Sequence, residues 1–442
     1  VRFNDDDSAY MHKTVSFGGA TSNQKWTISV WVKSSNSNAA HQIISTGNDS
    51  GNQTEIRFEA VGKFQYAENI SSSETINVST NALYRDPSAW HHLVCAVDTT
   101  QGTAANRVKL YVNGILQTSL STTNYPTEDA GTLINMGVNT GDGVHNIGRR
   151  QYNTDQYFDG YMAEFVWIDG LQLAATSFGE FDSDSPTIWK PIDVSGLTFG
   201  NNGCYLDFKS SGNLGNDANG GTDLTEVNLA ATDQSTDTCT NNFCTLNPLD
   251  HNNVTFSEGN LKGSCGSSGT CRSTMAVNKG KWYWEFKYID PEGFHGIRAT
   301  HLGVTVNTFS VKIFGLNDPI EAHINGSQND LTGRDNMSDN DILNFALDMD
   351  NNRFAIGQNG AWDNGSAFSG TTLNYHSITG GHYYSPQIAT GSGTGRVCEV
   401  NFGSPSFAIT SGNADANGYG NFEFAVPSGF FSLCSKNLAE YG

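Results

Sequence analysis

The stretch Trp90-His91-His92-Leu93-Val94-Cys95-Ala96-Val97-Asp98, followed by Val108-Lys109-Leu110-Tyr111-Val112-Asn113-Gly114, decides the fold class of this chain. Leu93, Cys95 and Val97 fall on one face of the first run, and Leu110 and Val112 on one face of the second. This is the period-two pattern of half-buried β-strands. Asn-Gly is the preferred pair for a tight hairpin, because both central residues take positive φ. The sequence therefore predicts two neighbouring strands that lead into a hairpin turn.

Two further runs with the same alternation flank this pair. Residues 26–32 read Trp-Thr-Ile-Ser-Val-Trp-Val, and residues 157–167 read Tyr-Phe-Asp-Gly-Tyr-Met-Ala-Glu-Phe-Val-Trp. In this order the runs resemble the laminin-G and concanavalin-A-like family of jelly-roll sandwiches, in which a W-x-x-V strand, an L-Y-V-N-G hairpin and an F-D-G-x-x-A-E strand recur. The resemblance covers roughly the first half of the chain and implies an antiparallel β-sandwich.

A different strand set follows in the second half. Residues 280–288 read Gly-Lys-Trp-Tyr-Trp-Glu-Phe-Lys-Tyr, which places Trp282, Trp284, Phe286 and Tyr288 on one strand face. The runs D-I-L-N-F-A-L-D-M-D, N-G, H-Y-Y-S-P and N-F-G come after it, at 341–350, 359–360, 382–386 and 401–403. This order resembles the SPRY (B30.2-like) family over about residues 250–405. It implies a second bent sandwich that binds partners through its loops.

The fold prediction is all-β, with two antiparallel β-sandwich domains of jelly-roll or lectin-like type in tandem. We assign residues 1–235 to the laminin-G-like sandwich, 236–250 to a connector, and 251–442 to the SPRY-like sandwich with a C-terminal tail. The composition agrees, since 48 glycines and only 37% hydrophobic residues suit strands joined by many turns. The length of 442 residues favours two domains over one.

The net charge of the chain argues against some classes of binding partner. With 45 acidic against 24 basic residues the formal net charge is -21, which repels nucleic-acid phosphates and anionic membrane surfaces. No apolar run approaches the length needed to cross a bilayer. We therefore expect no nucleic-acid partner and no membrane insertion.

The order of the two modules also resembles a larger assembly. A T-N-N-F-x-T-L-N-P segment at 240–248 links them, and the tail at 427–438 follows. This arrangement is similar to that of fibre and virion surface proteins of tailed bacteriophages, notably marine ones. The resemblance implies a location on the virion surface or outside the cell, a role in host attachment, a homo-oligomer, and host surface glycans or other virion proteins as partners. A cellular extracellular adhesin or filament component is the alternative.

Catalysis is the weakest of the functional hypotheses. Jelly-roll glucanases carry paired carboxylates on one strand as E-x-D-x-x-E, and no such run exists here. Glu164 and Asp169 are five residues apart, as are Glu285 and Asp290, so each pair falls on opposite strand faces. We therefore predict that the chain is not an enzyme, and a glycan hydrolase remains the least favoured alternative.

Two segments combine aromatic and polar residues as carbohydrate sites do. Arg149, Arg150 and Tyr152 lie in the run 145–153, and Trp362 and Asp363 lie in the run 360–364. A ring face can stack on sugar C–H groups while charged and amide groups bind hydroxyls. Exposed Trp and Arg are equally typical of protein interfaces, so both ligand classes stay open.

Calcium is the one cofactor for which the sequence offers candidates. The family resemblance implies calcium at a loop rim, and Asp5, Asp6, Asp7 and Asp142 carry the hard oxygen ligands that this ion prefers. None of them follows an EF-hand pattern, and solvated acidic turns are the favoured interpretation.

Eight cysteines are too few for a disulfide scaffold in a chain of this length. Cys265 with Cys271, and Cys239 with Cys244, are close enough in sequence to be candidates for local disulfides. The spacing of neither pair matches a zinc site.

Overall fold

A computed structural model describes the chain except for residues 16–17, 37, 136–142, 290–293, 300–308, 315–319, 325–326, 331–337, 366 and 391–395. The chain forms two compact units, Val1–Gln234 and Ser235–Gly442. Residues 236–250 therefore fall within the second unit, and the last five of them belong to its first strand.

The first unit is a sandwich of two antiparallel sheets. One sheet has the order β1-β13-β3-β8-β9-β10, with β16 beside β13, and the other has the order β11-β7-β6-β5-β4-β12-β2-β17; β14 and β15 form a separate pair. The strands are β1 (Arg2–Phe3), β2 (Tyr10–Val15), β3 (Lys25–Ser34), β4 (His41–Asp49), β5 (Asn52–Phe58), β6 (Phe64–Ile70), β7 (Ser73–Thr80), β8 (His91–Asp98), β9 (Val108–Val112), β10 (Ile115–Leu116), β11 (Leu120–Asn124), β12 (Gly143–Ile147), β13 (Gly160–Asp169), β14 (Gly179–Phe181), β15 (Trp189–Pro191), β16 (Cys204–Leu206) and β17 (Thr225–Val227).

The predicted hairpin lies at the centre of this architecture. Strand β8 pairs with β9 so that Cys95 faces Leu110, and both side chains are buried in the core between the sheets. Asn113 and Gly114 have φ of 47° and 79° and join β9 to β10, as the Asn-Gly pattern predicts. The alternating face read from the sequence is therefore the core face of the first sheet.

The β14–β15 pair packs against the outer side of the same sheet through the side chain of Trp189. A Cβ atom added to Gly114 would lie 2.5 Å from this indole ring, and one added to Gly179 would lie 2.6 Å from it. The indole N–H of Trp189 also donates to Nδ1 of His92 at 2.9 Å. The absence of side chains at the two glycines allows the ring to be buried so tightly.

The second unit contains one continuous sheet of 15 strands. They are β18 (Leu246–Ser257), β19 (Lys262–Ser273), β20 (Lys281–Tyr288), β21 (Phe294–Ala299), β22 (Phe309–Phe314), β23 (Ile320–Ile324), β24 (Ser327–Asp330), β25 (Ile342–Asp348), β26 (Arg353–Gln358), β27 (Ala361–Asp363), β28 (Phe368–Gly370), β29 (His376–Ser377), β30 (Gln387–Thr390), β31 (Arg396–Asn401) and β32 (Phe431–Ser432). The pairing is antiparallel except between β20 and β32.

The four aromatic residues predicted to share one face of β20 are all buried in the core of this unit. Its opposite face carries Tyr283 and Glu285, and residues of the C-terminal segment, among them Phe422 and Phe430, cover Tyr283. The prediction of two antiparallel β-sandwich units in tandem is confirmed.

Helix is sparse in the described residues. The α-helices are α1 (Ala104–Arg107) and α2 (Ser435–Tyr441), and the 3-10 helices are Leu133–Asn135, Ala175–Ser177 and Ala231–Asp233. Within the described ranges, no helix has the length and apolar character that a membrane crossing requires.

Candidate binding site on the first unit

The loop between β12 and β13 carries three of the predicted site residues and is tied to the second sheet. It starts at Gly148, whose φ of 89° and position against the Phe3 ring favour glycine. Ser45 on β4 donates to the carbonyl of Arg149 at 2.8 Å and accepts from the backbone N–H of Gln151 at 2.9 Å. These bonds hold the loop in one conformation over the outer face of the sheet.

Arg150 is the residue through which the loop joins that face. Its guanidinium forms a bidentate pair with Asp155, with N–O distances of 2.6 and 2.5 Å, and lies 3.7 Å from Glu55 on β5. Its guanidinium carbon lies 5.0 Å from the centroid of the Tyr152 ring. The structure thus brings Arg150 and Tyr152 together, as a ligand-binding pair requires.

Beyond Arg150 the hydrogen bonds continue across three strands. Glu55 pairs with Arg57 at 2.8 Å, Arg57 donates to Gln65 at 2.8 Å, and Gln65 donates to Asn77 at 3.0 Å. Asn77 in turn donates to Glu74 at 2.9 Å. We call this connected set the polar ladder; its members are Asp155, Arg150, Glu55, Arg57, Gln65, Asn77 and Glu74.

Mutual pairing sets the electrostatics of the ladder. Burial raises the pKa of Glu55, although the charges of Arg57 and Arg150 act against that shift. The hydrogen bond from Arg150 lowers the pKa of Asp155. Burial alone would lower the pKa of Arg150, but Asp155 and Glu55 outweigh it and the pKa is raised. The ladder therefore places the guanidinium groups of Arg57 and Arg150 against the carboxyl groups of Glu55 and Asp155.

Arg149 points away from the ladder. Its guanidinium carbon lies 3.5 Å from the centroid of the Tyr10 ring on β2, a cation–π arrangement. The Tyr10 ring lies 6.5 Å from that of Tyr157 and 6.0 Å from that of His12. The two neighbouring arginines consequently belong to two different surface features of the same sheet.

Most members of the ladder were not predicted from the sequence. Glu55, Arg57, Gln65 and Asn77 lie on adjacent strands and alternate with the core residues of those strands, as Ile56 shows between Glu55 and Arg57. That alternation identifies them as outward-facing positions. Only strand pairing shows that they are neighbours, and pairing is not visible in a single sequence.

The second predicted aromatic site is corrected by the structure. Trp362 is buried, with 9% of its surface exposed, among Tyr283, Phe422 and Phe430. Asp363 is fully buried and accepts from the backbone N–H of Gly365 at 2.8 Å. The residues at this position stabilise the second unit and offer no open ring face to a ligand.

The acidic candidates do not converge on a cation. Asp6 and Asp7 are exposed, and Asp7 accepts a hydrogen bond from the side chain of Asn4 at 2.9 Å. Burial, and then the charge of Asp6, raises the pKa of Asp5. Asp142 lies outside the described residues. In the remainder of the chain, no group of three or more His, Cys, Asp or Glu side chains has the geometry to hold a metal ion.

The predicted disulfides are absent from the structure. All eight cysteines fall in the described ranges and none is in a disulfide, including the candidates Cys265, Cys271, Cys239 and Cys244. Burial raises the pKa of Cys265 to about 11 and that of Cys271 to about 12. Both of these thiols are therefore protonated at neutral pH and unreactive.

The described carboxylates considered for hydrolysis are held by contacts within the protein. Glu164 lies in a bulge of β13 with φ of 49° and accepts a hydrogen bond from the hydroxyl of Tyr205. Asp169 is buried and accepts from the backbone N–H of Thr21 at 2.7 Å. Glu285 is buried, and Asp290 lies outside the described residues. Neither Asp169 nor Glu285 can reach a substrate.

A buried Ser–His contact in the first unit is also structural. His92 Nε2 lies 2.8 Å from the hydroxyl of Ser29, while Nδ1 accepts from Trp189. Because Nδ1 is the acceptor, Nε2 of the neutral ring carries the proton and cannot remove one from Ser29. Burial lowers the pKa of His92 to about 3, consistent with a neutral core imidazole.

The comparison with protein families agrees with this architecture. Residues 5–171 match the laminin G family model of the concanavalin A-like lectin/glucanases superfamily. The matched span contains the hairpin and every member of the polar ladder. A laminin-G-like lectin fold is commonly that of a binding module. No protein among those with curated functions matches the chain.

Solved structures give similarities at low identity. The SPRY domain of human HERC1 is 15% identical with a TM-score of 0.29, covering 35% of this chain and 96% of that domain. The LG4-5 domains of the mouse laminin alpha1 chain are 10% identical with a TM-score of 0.29, covering 95% of both chains. The TRIM65 PSpry domain is 12% identical with a TM-score of 0.29, covering 36% of this chain and 91% of that domain.

Proposed function

We propose that this chain is a non-enzymatic surface protein of a virion, and that its first unit binds host surface glycans at the Arg150–Tyr152 end of the polar ladder. The observation that carries the proposal is the placement of Arg150. It is held by Asp155 and Glu55, and it keeps 15% of its side chain exposed beside the half-buried ring of Tyr152. The ring of Tyr152, the guanidinium of Arg150 and the two carboxyl groups that hold it thus lie within one surface.

Preorganisation is what makes this surface suitable for a ligand. A side chain that is already ordered loses little conformational entropy on binding, whereas a free surface arginine loses more. The bidentate pair with Asp155 orders Arg150, and the hydrogen bonds of Ser45 order the loop that carries both Arg150 and Tyr152. Sugar hydroxyls can then replace their hydrogen bonds to water with hydrogen bonds to charged side chains of fixed geometry.

The non-enzymatic part of the proposal rests on the carboxylates. The ladder has three acidic residues, but Glu55 is bound to Arg57 at 2.8 Å and Asp155 to Arg150 at 2.5 Å. Each is held by an arginine, whereas glycoside hydrolysis needs one carboxyl group that is free to give its proton to the substrate as the general acid. The arrangement suits binding without turnover.

The virion part of the proposal has a different support, namely the order of the two modules with their connector and tail. The net charge of -21 suits a protein that must stay soluble at high local density. A neighbouring virion protein is the competing ligand for the same loop, since arginine and tyrosine also predominate at protein interfaces.

The test compares Tyr152→Ala with Tyr383→Ala, a matched change at a tyrosine of the second unit that is 50% exposed. Binding of the full chain to a glycan array and to host cells is measured for each. We expect Tyr152→Ala to weaken binding about tenfold, because a stacking contact between the ring and the sugar, worth about 1 kcal/mol or more, is lost. Tyr383→Ala should bind as the parent does, and sugar release should be undetectable for all three proteins.

The outcomes separate the alternatives. Impaired particle assembly or oligomerisation in Tyr152→Ala, with glycan binding unchanged, would assign the loop to a protein interface. Unchanged binding and unchanged assembly would reject the site altogether. Detectable hydrolysis that disappears in Glu164→Gln would overturn the non-enzymatic assignment.

A further inference from the structure

A polar cleft of about 500 Å³ lies in the first unit, apart from the members of the polar ladder. One wall is strand β2 with His12 and Lys13, and the other walls are the turns 200–203 and 219–225. Apart from Val15 its lining consists of glycine, asparagine, threonine, aspartate, histidine and lysine. Pockets of this volume are typical of small-molecule sites, but most such sites have apolar walls. This cleft instead suits a ligand covered with hydrogen-bonding groups.

Lys13 supplies a cation that no carboxylate in the described part of the chain pairs with. Its Nζ donates to the carbonyl of Asn202 at 3.3 Å, and no carboxylate of the described residues lies within ion-pair distance of it. The ammonium lies near Cys204, where its charge acts against the burial that raises the pKa of this thiol to about 12. An ammonium has three donors, so at least one remains for a ligand.

Asn202 supplies a neutral amide group in the wall formed by the turn 200–203. It is 93% buried, and its backbone N–H is fixed by a 3.1 Å hydrogen bond to Asp169. Its side-chain nitrogen is buried and has no hydrogen-bond partner among the described residues. A buried amide without a partner is unfavourable, and a ligand acceptor that reaches it would recover part of that free energy.

The turns that carry these walls are rigidly built. A Cβ atom at Gly203 would lie 2.0 Å from the carbonyl oxygen of Phe199, so only glycine allows the first turn to close. Asp217 accepts from the backbone N–H groups of Tyr205 and Asn219 at 3.0 Å each. Asp223 accepts from the backbone N–H of Asp217 at 3.0 Å and stands at the cleft as an acceptor for hydroxyl groups.

We propose that this cleft binds a small saccharide that carries a carboxylate, with the carboxylate at Lys13 and the hydroxyls at Asn202, Asp223 and the threonines of the rim. The positive charge of Lys13 attracts the carboxylate of the ligand, whereas the net charge of the chain as a whole repels anions. The amide donors and carboxylate acceptors of the cleft can form hydrogen bonds with the hydroxyl groups of a sugar ring. The site is independent of the polar ladder and does not rest on the function proposed for it.

The experiment is titration calorimetry of the full chain with three probes, glucuronate, glucose and acetate. We expect saturable binding of glucuronate, with glucose and acetate each at least tenfold weaker. Lys13→Met should weaken glucuronate binding at least tenfold, and Lys109→Met, which removes a charge from β9 of the same unit, should leave it unchanged. Thr222→Trp, a change at the exposed rim, should also abolish binding by filling the cleft without altering a buried residue.

Three results would overturn the proposal. They are the absence of saturable glucuronate binding by the parent protein, acetate binding as tight as glucuronate binding, and unchanged glucuronate binding in both Lys13→Met and Thr222→Trp. The Tyr152→Ala variant distinguishes the two sites, because it should lose host glycan binding and keep glucuronate binding. Failure at one site therefore leaves the other proposal standing.

Discussion

Each unit has a glutamate on the sheet face opposite the core, Glu55 in the first unit and Glu285 in the second. The two carboxylates have different surroundings. Glu55 of the first unit is bound by the charged side chains of Arg57 and Arg150. Glu285 of the second unit has no cationic partner among the described residues and accepts four hydrogen bonds instead. Burial raises the pKa of both.

The difference arises from what covers each face. Over Glu285 lies the C-terminal segment, whose backbone N–H groups at Glu423 and Phe424 donate at 3.0 and 2.8 Å. Over Glu55 lies a short loop that brings an arginine and leaves the edge of the network in contact with solvent. The same residue type therefore acts as a clamp for the chain in one unit and as part of a charged surface in the other.

A third buried glutamate extends the comparison to the core. Glu68 is fully inside the first unit and accepts from the hydroxyl of Thr54 at 2.6 Å and the backbone N–H of Leu133 at 2.8 Å. Among the described residues it has no cationic partner, and it has fewer strong donors than Glu285. Burial raises its pKa to about 7. This carboxyl group therefore retains its proton to a pH well above the usual range for a glutamate.

The largest effect is expected when the clamp is removed. Glu285→Ala leaves the N–H groups of Glu423 and Phe424 and the side chains of Tyr283 and Asn401 without their acceptor, at a cost of about 3–5 kcal/mol. Hydrogen exchange of the peptides containing Glu423 and Phe424 should accelerate, and the second unit should unfold at lower denaturant concentration. Glu440→Ala, at an exposed glutamate of α2, should change stability by about 0.5 kcal/mol or less. Equal effects in the two variants would refute the clamp.

The next effect concerns pH and Glu68. Its pKa is about 7 in the folded state against 4.5 for a glutamate in the unfolded chain, so the folded state binds more protons between these values. The contribution of Glu68 to the free energy of unfolding is fully present below about pH 4.5. It falls as the pH rises to 7, by roughly 3 kcal/mol at about 1.4 kcal/mol per pH unit. Denaturation of the first unit from pH 4.5 to 8 measures it. In Glu68→Gln this fall should disappear; a fall of the same size in both proteins would assign it to another group.

The smallest effect is expected at the charged surface. Glu55→Gln removes the charge between Arg57 and Arg150 but leaves Arg150 paired with Asp155, so we expect a loss of about 1 kcal/mol. The loss should shrink when the ionic strength is raised from about 0.01 to 1 M, because the side chains of Arg57 and Arg150 stay 20% and 15% exposed and salt partly screens their charges. The corresponding change Glu285→Gln should cost the same at both salt concentrations. A salt-independent loss at Glu55 would show that the two carboxylates have the same role.

Local patterns account for much of this fold. The alternation of Leu93, Cys95 and Val97 identifies a core face without any structural information, and the Asn113-Gly114 pair identifies the turn. Such features depend on neighbours in sequence, because strand geometry places every second residue on the same side. The aromatic face of β20 was predicted for the same reason.

The candidate sites depend on partners far along the chain. Tyr152 and Arg150 are two residues apart and were predicted together, but Glu55, which orders Arg150, lies nearly a hundred positions away. Trp362 looked like a loop aromatic because the residues that bury it, Phe422 and Phe430, come some sixty positions later. A single sequence does not indicate which distant segment will cover a given face.

The sequence by itself determined the all-β class, the hairpin and the core-facing side of the strands with clear alternation, because these follow from short-range periodicity and turn chemistry. The tandem order of the two units was implied by their resemblance to two families. Tertiary structure alone decided which polar residues of the outer faces became neighbours. The pairing of β5 with β6 set Arg57 beside Gln65, the loop of Arg150 met Glu55, and the C-terminal segment closed over Glu285. Burial and hydrogen bonding of a carboxylate are properties of the assembled surface, since they depend on atoms that only folding brings together.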